Sequence, residues 1–440
     1  MSLISKIIIF VKKQIVDIKT YGSTELLRKF YLLIKVFFII PFYLVAIPTC
    51  LIIRLISPWI IIRTIRLPAG NFGDFIIFAG IYYCKKKLKI NQPKKKHFDL
   101  MYIDQKDKFY NKQLLKMWKR KLNFFSGRML GSINKVHKLM PGWRTFIDLN
   151  ERENRDINNL FEKIQPLEFT KEEKAYGKEM LSKFGLKDKD KFVCLAVRDG
   201  SFQLKKFSTR FRNWDYHNFR HIDIDKFVLA AEELTKRGYY VFRMGVVVEK
   251  SMTTNNPMII DYASSNMRSD FMDIYLGANC SFLLGTGFGF QDLPTIFKKP
   301  LALISVPLGN LHSYSEKFLH LTKHHVLKKE NRRLSLSEIF SHGVAYAYFS
   351  KRFEEKGIEL VENTQEEIRD LAIEMVESLE NNKKLNFEDE KLQETFRNLY
   401  TSNLRNSADE KMKNYPPIIH GQIRCRYGTQ FLKENKNWLR

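Results

Sequence analysis

From residue 192 to residue 306 the chain repeats one pattern: a short apolar run, a turn, then a stretch of helical length. Residues 192–197 (FVCLAV) run straight into Arg198-Asp199-Gly200-Ser201. The spacing predicts a helix over 225–237, closed by Gly238, and a strand over 239–244 (YYVFRM) ending at Gly245. A third strand is expected over 258–261, a helix over 271–277 and a fourth strand over 280–284 (CSFLL). That strand ends in Gly285-Thr286-Gly287-Phe288-Gly289, with a helix over 291–297 and a fifth strand over 301–306 behind it. Apolar runs alternating with helices specify successive β-α units of a parallel sheet buried on both faces. In such sheets a ligand sits outside the carboxyl ends of the strands. Arg198, Arg243 and the 285–289 loop all fall there, so three separate features converge on one rim.

The preceding residues open in the same way. Residues 59–67 (WIIIRTIRL) read as a strand, broken by Pro68-Ala69-Gly70-Asn71-Phe72-Gly73-Asp74, with a helix over 75–87. Asn71 and Asp74 then stand at the strand's carboxyl end. A strand over 97–103, a basic helix over 111–122 and an amphipathic helix over 169–184 follow. Lys187-Asp188-Lys189-Asp190-Lys191 separates this half from the next. The fold class expected is α/β, with two doubly wound domains.

Residues 36–53 form a run of 18 uncharged residues dominated by Phe, Ile, Leu and Val, close to the roughly 20 that a spanning helix needs. Pro41 and Pro48 interrupt it. Basic residues flank both ends, Arg28, Lys29 and Lys35 before and Arg54, Arg63 and Arg66 after, without the asymmetry of a single span. Residues 3–18 add an apolar stretch carrying Lys6, Lys12 and Lys13. Together these predict helices that associate with the cytoplasmic face of a bacterial inner membrane, as a re-entrant hairpin or lying in the interface. The alternative is a buried core helix over 30–60. A cleaved signal peptide fits poorly, because lysines break the apolar core and no small-residue cleavage site follows.

Lys and Arg number 74 against 48 Asp and Glu, a net charge of +26 that calls for anionic partners. Residues 85–138 hold 17 Lys and Arg against 3 Asp. Beside a membrane segment, such a face is expected to meet anionic inner-leaflet lipid or a lipid-linked phosphate. Nucleic acid is the rival partner, but no aromatic-interleaved recognition motif is present, so none is expected. The cysteines Cys50, Cys84, Cys194, Cys280 and Cys425 form no CxxC pair, which argues against a zinc site or a disulfide framework.

A diphosphate that gains charge as it leaves a sugar wants guanidinium groups and backbone N–H donors at a helix N-terminus. The glycines at 285, 287 and 289 permit close backbone approach, and Thr286 and Gln291 offer neutral donors. No Walker lysine follows and the spacing is not GxGxxG, which disfavours a P-loop NTPase and a dinucleotide fold. Arg198 and Arg243 have a structural alternative in pairing with Asp199 or Glu232. Group transfer without a bound metal requires a base for the acceptor hydroxyl. Asp74 is the candidate, with a helix N-cap as its structural alternative. His217 and His221, with Asp223 and Asp225, form a second polar cluster, which together with Asn71 is the candidate acceptor side. Asp223-Ile224-Asp225 has the form of a DxD metal motif, but it directly precedes a helix, where an aspartate serves as cap, and no metal is expected.

These residues carry a resemblance. Asn71-Phe72-Gly73-Asp74 resembles the amino-terminal motif of heptosyltransferase-like GT-B enzymes, which implies Asp74 as base. The stretch DIYLGANCSFLLGTGFGFQDLPTIFKKPLALIS resembles their donor domain, which implies that Gly285–Gly289 holds donor phosphates. Residues from about 60 onward are similar to glycosyltransferases encoded in bacterial surface-polysaccharide gene clusters, through VRDG, NWDYHNFRHIDIDKFVLAAEELTKRGYYVFRMG and GTQFLKENKNWL. The heptosyltransferases carry Asp-x-Gly-x-x-His after the fourth strand; Thr286-Gly287-Phe288-Gly289 stands here instead, so donor identity does not carry over.

The resemblance implies a GT-B fold with membrane-associating helices over 1–60, an acceptor-side Rossmann-like domain over 61–185 and a donor-binding one over 186–345. Residues 346–440 would supply a helix returning to the first domain and a small helical appendage. The expected activity is metal-independent transfer from a nucleotide-sugar co-substrate to a surface-polysaccharide, lipopolysaccharide or lipid-linked glycan, without a further cofactor. The alternative is a catalytically inactive membrane-associated scaffold or lipid-binding module of a polysaccharide assembly complex.

Overall fold

β-Branched residues at 61, 62, 64 and 65 make β1 (Ile61–Leu67), which pairs in parallel with β2 (His97–Ile103), Ile61 opposite His97 and Leu67 opposite Ile103. The computed structural model describes residues 22, 27, 29–31, 34, 37–38, 40–104, 107, 111–147, 155–201, 219–312, 314–347, 349–380, 385–406 and 422–440. These fall into two compact units. One is drawn from Met1–Leu67, Pro93–Lys106 and Asn123–Leu149, the other from Pro68–Gln92, Asp107–Leu122 and Asn150–Arg440. The dividing points differ from the boundaries read in the sequence: the helix Phe72–Lys87 groups with the second unit, apart from the strand before it.

In the first unit, Arg63 and Asp99 form a buried two-pronged ion pair across β1 and β2, with bonds of 2.7 and 3.0 Å. A helix over 41–55 packs Ala46, Cys50 and Ile53 against Leu130, Ile133 and Val136 of the helix Gly127–Lys138. Its other side exposes Leu44, Val45, Ile47, Leu51, Ile52 and Leu55. The 36–53 run is therefore neither wholly buried nor wholly exposed where it is described. Among the described residues no helix is long and apolar enough to cross a membrane.

The second unit holds β3 (Lys191–Ala196), β4 (Tyr239–Met244), β5 (Ile259–Ile260), β6 (Leu283–Thr286), β7 (Leu301–Ile304) and β8 (Phe318–His320). All pair in parallel in the order β5-β4-β3-β6-β7-β8. The first three strands in sequence run one way from β3 and the next three run the other way, which is the doubly wound order with its switch point between β3 and β6. A seventh strand, β12 (Arg426–Tyr427), adds in parallel beyond β8. A separate antiparallel sheet joins β9 (His324–Leu327) to β10 (Arg332–Arg333) and β11 (Ile358–Val361).

Local signals explain most boundaries. Gly238, at φ +80°, ends the helix Val228–Lys236 and turns the chain into β4. The residues expected to begin that helix form a 3-10 turn, Ile224–Phe227, whose cap is Asp223, accepting from the Asp225 amide. Thr170 and Glu173 close a capping box on the helix Lys171–Lys183. Thr364 and Glu367 bond reciprocally ahead of Gln365–Glu380. That last helix packs on Val228–Lys236 and on β7. The tail is not only an appendage, since Arg426–Tyr427 extends the main sheet. Gln393 of the helix Phe387–Asn406 brackets the Tyr427 backbone with bonds of 2.7 and 2.9 Å.

Candidate active site

The switch point is built by two glycine-dependent contacts, both inside the second unit. At Gly285, which sits opposite Ala196 in the β3–β6 pairing, a Cβ would stand 1.9 Å from the Ala196 carbonyl oxygen, so only glycine lets the strands run this close. One residue on, the buried Thr286 hydroxyl accepts the Arg198 backbone N–H at 2.8 Å. This bond ties the two strand ends together and fixes where Arg198 leaves the sheet. Arg220 donates to the Gly287 carbonyl at 2.6 Å.

His221 follows Arg220, and its ring lies 3.2 Å from where a Cβ on Gly200 would be. Burial, with Arg198 next in weight, pulls the His221 imidazole down to about 4, so it is neutral at physiological pH. Lys323, directly before β9, donates to the His221 carbonyl at 2.7 Å. Arg198, Arg220, His221 and Lys323 thus gather positive charge and neutral donors around the glycine turn. The sequence placed His221 with a polar acceptor cluster; the structure brings it beside Arg198. His217 lies outside the described residues.

Arg243 has different work from that read in the sequence. Its side chain is buried, donating to Asp261 at 3.2 Å and to the Lys250 carbonyl at 3.1 Å. Asp261, not Asp199 or Glu232, is its partner, and the pair fastens the loop after β4 to the residues after β5. Asp199 accepts the amides of Ser201 and Glu249 at 3.0 Å each. Asp223 and Asp225 both hold the Lys250 ammonium, at 2.8 and 2.6 Å, and these bonds keep both carboxyls below their usual range. Lys250 fills the place a cation would take between the two carboxylates. Among the described residues no group of three or more His, Cys, Asp or Glu is placed to hold a metal.

The second contact brings the start of the helix Phe72–Lys87 against the glycine turn. A Cβ on Gly73 would lie 2.6 Å from the Gly289 Cα and 2.8 Å from its carbonyl oxygen. Beside this crossing the Phe72 and Phe290 rings stack, 6.1 Å between centroids at 11°. The helix cap is Asn71, and Asp74 lies inside the first turn, so the N-cap alternative for Asp74 does not hold. Asn71 turns its side chain to Asp74, donating from Nδ2 to Oδ2 at 2.9 Å. Asp74 is half-buried, held beside a glycine turn that sequence separates from it by more than two hundred residues.

Sequence reading missed a second carboxyl at this place. Asp292 opens the short helix Asp292–Ile296, is buried, and puts Oδ2 at 2.3 Å from the Cβ position of Gly73. Burial first, and then Asp74, push its carboxyl up to about 8, against the pull of Arg155. Arg155 reaches the Leu311 and Gly309 carbonyls at 3.3 and 3.5 Å. Gln291 is buried with its amide nitrogen against His312 Nε2, and His312 in turn meets the Tyr314 hydroxyl at 3.2 Å. The one signal available beforehand was an acid directly after the glycine turn, in Phe290-Gln291-Asp292.

No family model matches the chain, and no curated protein matches it. Solved structures that align with it include two glycosyltransferases. A glycosyl transferase of family 9 from Veillonella parvula DSM 2008 does so over 55% of this chain and 79% of its own, at 12% identity and a TM-score of 0.33. ADP-heptose LPS heptosyltransferase II from E. coli does so over 54% of this chain and 83% of its own, at 13% identity and a TM-score of 0.30.

Proposed function

We propose that the protein is a glycosyltransferase that moves a sugar from a nucleotide-sugar donor to a glycan or lipid-linked acceptor at the inner face of a bacterial membrane. The observation that carries this reading is the meeting of Gly73, the neighbour of Asp74, with Gly289 of the glycine turn that follows the switch-point strand of a doubly wound sheet. One side of that meeting offers a half-buried carboxylate to take the acceptor hydroxyl's proton. The other offers backbone N–H groups, Arg198, Arg220 and a neutral His221 to a leaving diphosphate. The new bond joins the acceptor oxygen to the anomeric carbon. The bond to the donor phosphate breaks, and its electron pair leaves with the diphosphate.

A thermal-shift comparison of UDP, GDP, CMP, ADP and dTDP, each with and without magnesium, tests the donor side. A nucleotide at a hundred times its dissociation constant adds about 2.7 kcal/mol to stability, which raises the midpoint by several degrees. One nucleotide is expected to do so, with the shift reduced in Arg198→Ala. No shift with any nucleotide in folded protein would favour the inactive scaffold.

The exposed face of the helix over 41–55 supports the membrane part of the reading. Leu44, Leu51 and Leu55 are 66, 56 and 73% exposed on one side of it, and each apolar side chain buried in lipid gains about 1.5–3 kcal/mol. Vesicles containing anionic lipid are expected to retain the wild-type protein in a flotation assay. The triple variant Leu44→Asp, Leu51→Asp, Leu55→Asp should stay in the soluble fraction, and co-flotation of that variant would overturn the assignment.

A further inference from the structure

We infer that Asp292 is a positioning carboxyl that carries a proton beside Asp74, so that the pair presents one negative charge, and not two, to an anionic donor. This rests on the glycosyltransferase reading for its purpose but not for its existence. The geometry is a crossing at which two backbones touch. Gly73 has no side chain because Gly289 and the Asp292 carboxyl fill that space, and Asp74 is the next residue. Two carboxyls brought to one crossing, one of them buried, cannot both ionise without cost. Asp74, the partly exposed member, is held by Asn71. The buried member keeps the proton.

The groups around Asp292 come from several elements and do not all act in one sense. From the helix Phe72–Lys87 comes Asp74, a like charge. From the chain before Leu160 comes Arg155, whose guanidinium is bonded to the Leu311 and Gly309 carbonyls. The Tyr314 hydroxyl is buried, and Asp292 is among the charges that push it well above its usual range. His312 reaches the site through Gln291. The helix Asp270–Asn279 meets the segment through Gly277, where Leu293 and Phe290 pack. Burial and Asp74 thus outweigh the single cation, and the Asp292 carboxyl reaches about 8.

The consequence for transfer is a defined proton count. Before reaction the pair holds one proton, on Asp292. When the acceptor hydroxyl attacks the anomeric carbon, its proton passes to Asp74 and the diphosphate leaves with the bonding electrons. The pair then holds two protons, and one returns to solvent to restore the starting state. Above pH 8 Asp292 ionises, a second negative charge appears at the crossing, and an anionic donor is repelled.

Carbon-13 NMR of the full chain, labelled at aspartate side-chain carboxyls and free of nucleotide, tests the pair without reference to activity. One carboxyl is expected to titrate near pH 8. It should be missing in Asp292→Asn and move to lower pH in Asp74→Asn, because the like charge is gone. No carboxyl titrating above pH 6, or one that Asp74→Asn leaves in place, overturns the inference. A carboxyl that behaves as expected in a protein that binds none of the nucleotides supports the pair and counts against the transferase reading alone. In active enzyme the fall in kcat/KM on the basic side of pH 8 should disappear in Asp292→Asn. Persistence of that fall would show that Asp292 is not its source. The amide matches the protonated acid in shape, and Asp292→Ser supplies a second neutral variant.

Discussion

Asp74→Asn is expected to lower turnover by roughly 10²- to 10⁴-fold, with little change in the affinity for nucleotide. The amide keeps the size of the carboxyl and can still meet Asn71, so the first turn of the helix Phe72–Lys87 should stay in place. What it cannot do is accept a proton from a hydroxyl. The loss should therefore fall on kcat, since the interaction removed exists only as the acceptor oxygen gives up its proton. Single-turnover rates with a radiolabelled sugar, alongside a melting curve, separate this outcome from misfolding. Turnover within threefold of wild type would remove Asp74 from the mechanism and leave the glycine turn without a base beside it.

Gly73→Ala should damage both stability and activity. The added methyl would meet the Gly289 backbone at 2.6 and 2.8 Å as well as the Asp292 carboxyl. Backbone cannot rotate aside as a side chain can, so the helix must lift away from the glycine turn. Overpacking of this kind costs about 1–3 kcal/mol and occasionally more. The displacement would also carry Asp74 away from the glycine turn, so activity should be lost even in the fraction that folds. Gly131→Ala in the helix Gly127–Lys138 is the matched control. Its methyl finds only a Tyr102 ring carbon, 3.7 Å away, and alanine is favoured over glycine in a helix by about 0.5–1 kcal/mol. Melting temperatures that fall for Gly73→Ala and hold or rise for Gly131→Ala are the expected pair. Equal behaviour of the two would mean that the crossing is looser than described.

The strands of the second unit were legible because buried parallel strands are apolar along their whole length. FVCLAV, YYVFRM and LALISV stand within two residues of β3, β4 and β7, and CSFLL shares its last two residues with β6. Turn chemistry located Gly238 because a helix stop does its work within a few residues of itself. Arg198 could be placed at a strand end, and Asp74 in a helix start, by counting alone. What counting could not supply was partnership. Arg243 sits at a strand end as expected, yet Asp261 across β4 and β5 claims its guanidinium. Asp292 reads as an ordinary first-turn acid until Gly73 is seen to abut it. The three residues of β8 and the two of β12 are too short for any periodicity to show. They are strands only because a neighbour supplies the hydrogen bonds.

The placement of β12 bears on when a newly made molecule becomes competent. Tyr427 pairs with the residue row of His320, so the outer edge of the main sheet stays open until the ribosome has passed residue 427. The helix over 41–55 emerges several hundred residues earlier, and at 5–20 residues per second the interval is roughly 20–75 s. During that time β8 still offers unpaired amides and carbonyls to its surroundings. A stop before Arg426 would leave the residues of the glycine turn intact in sequence and the sheet that positions them unfinished. Synthesis thus sets an order of events: the helix with the exposed apolar face first, the finished sheet last.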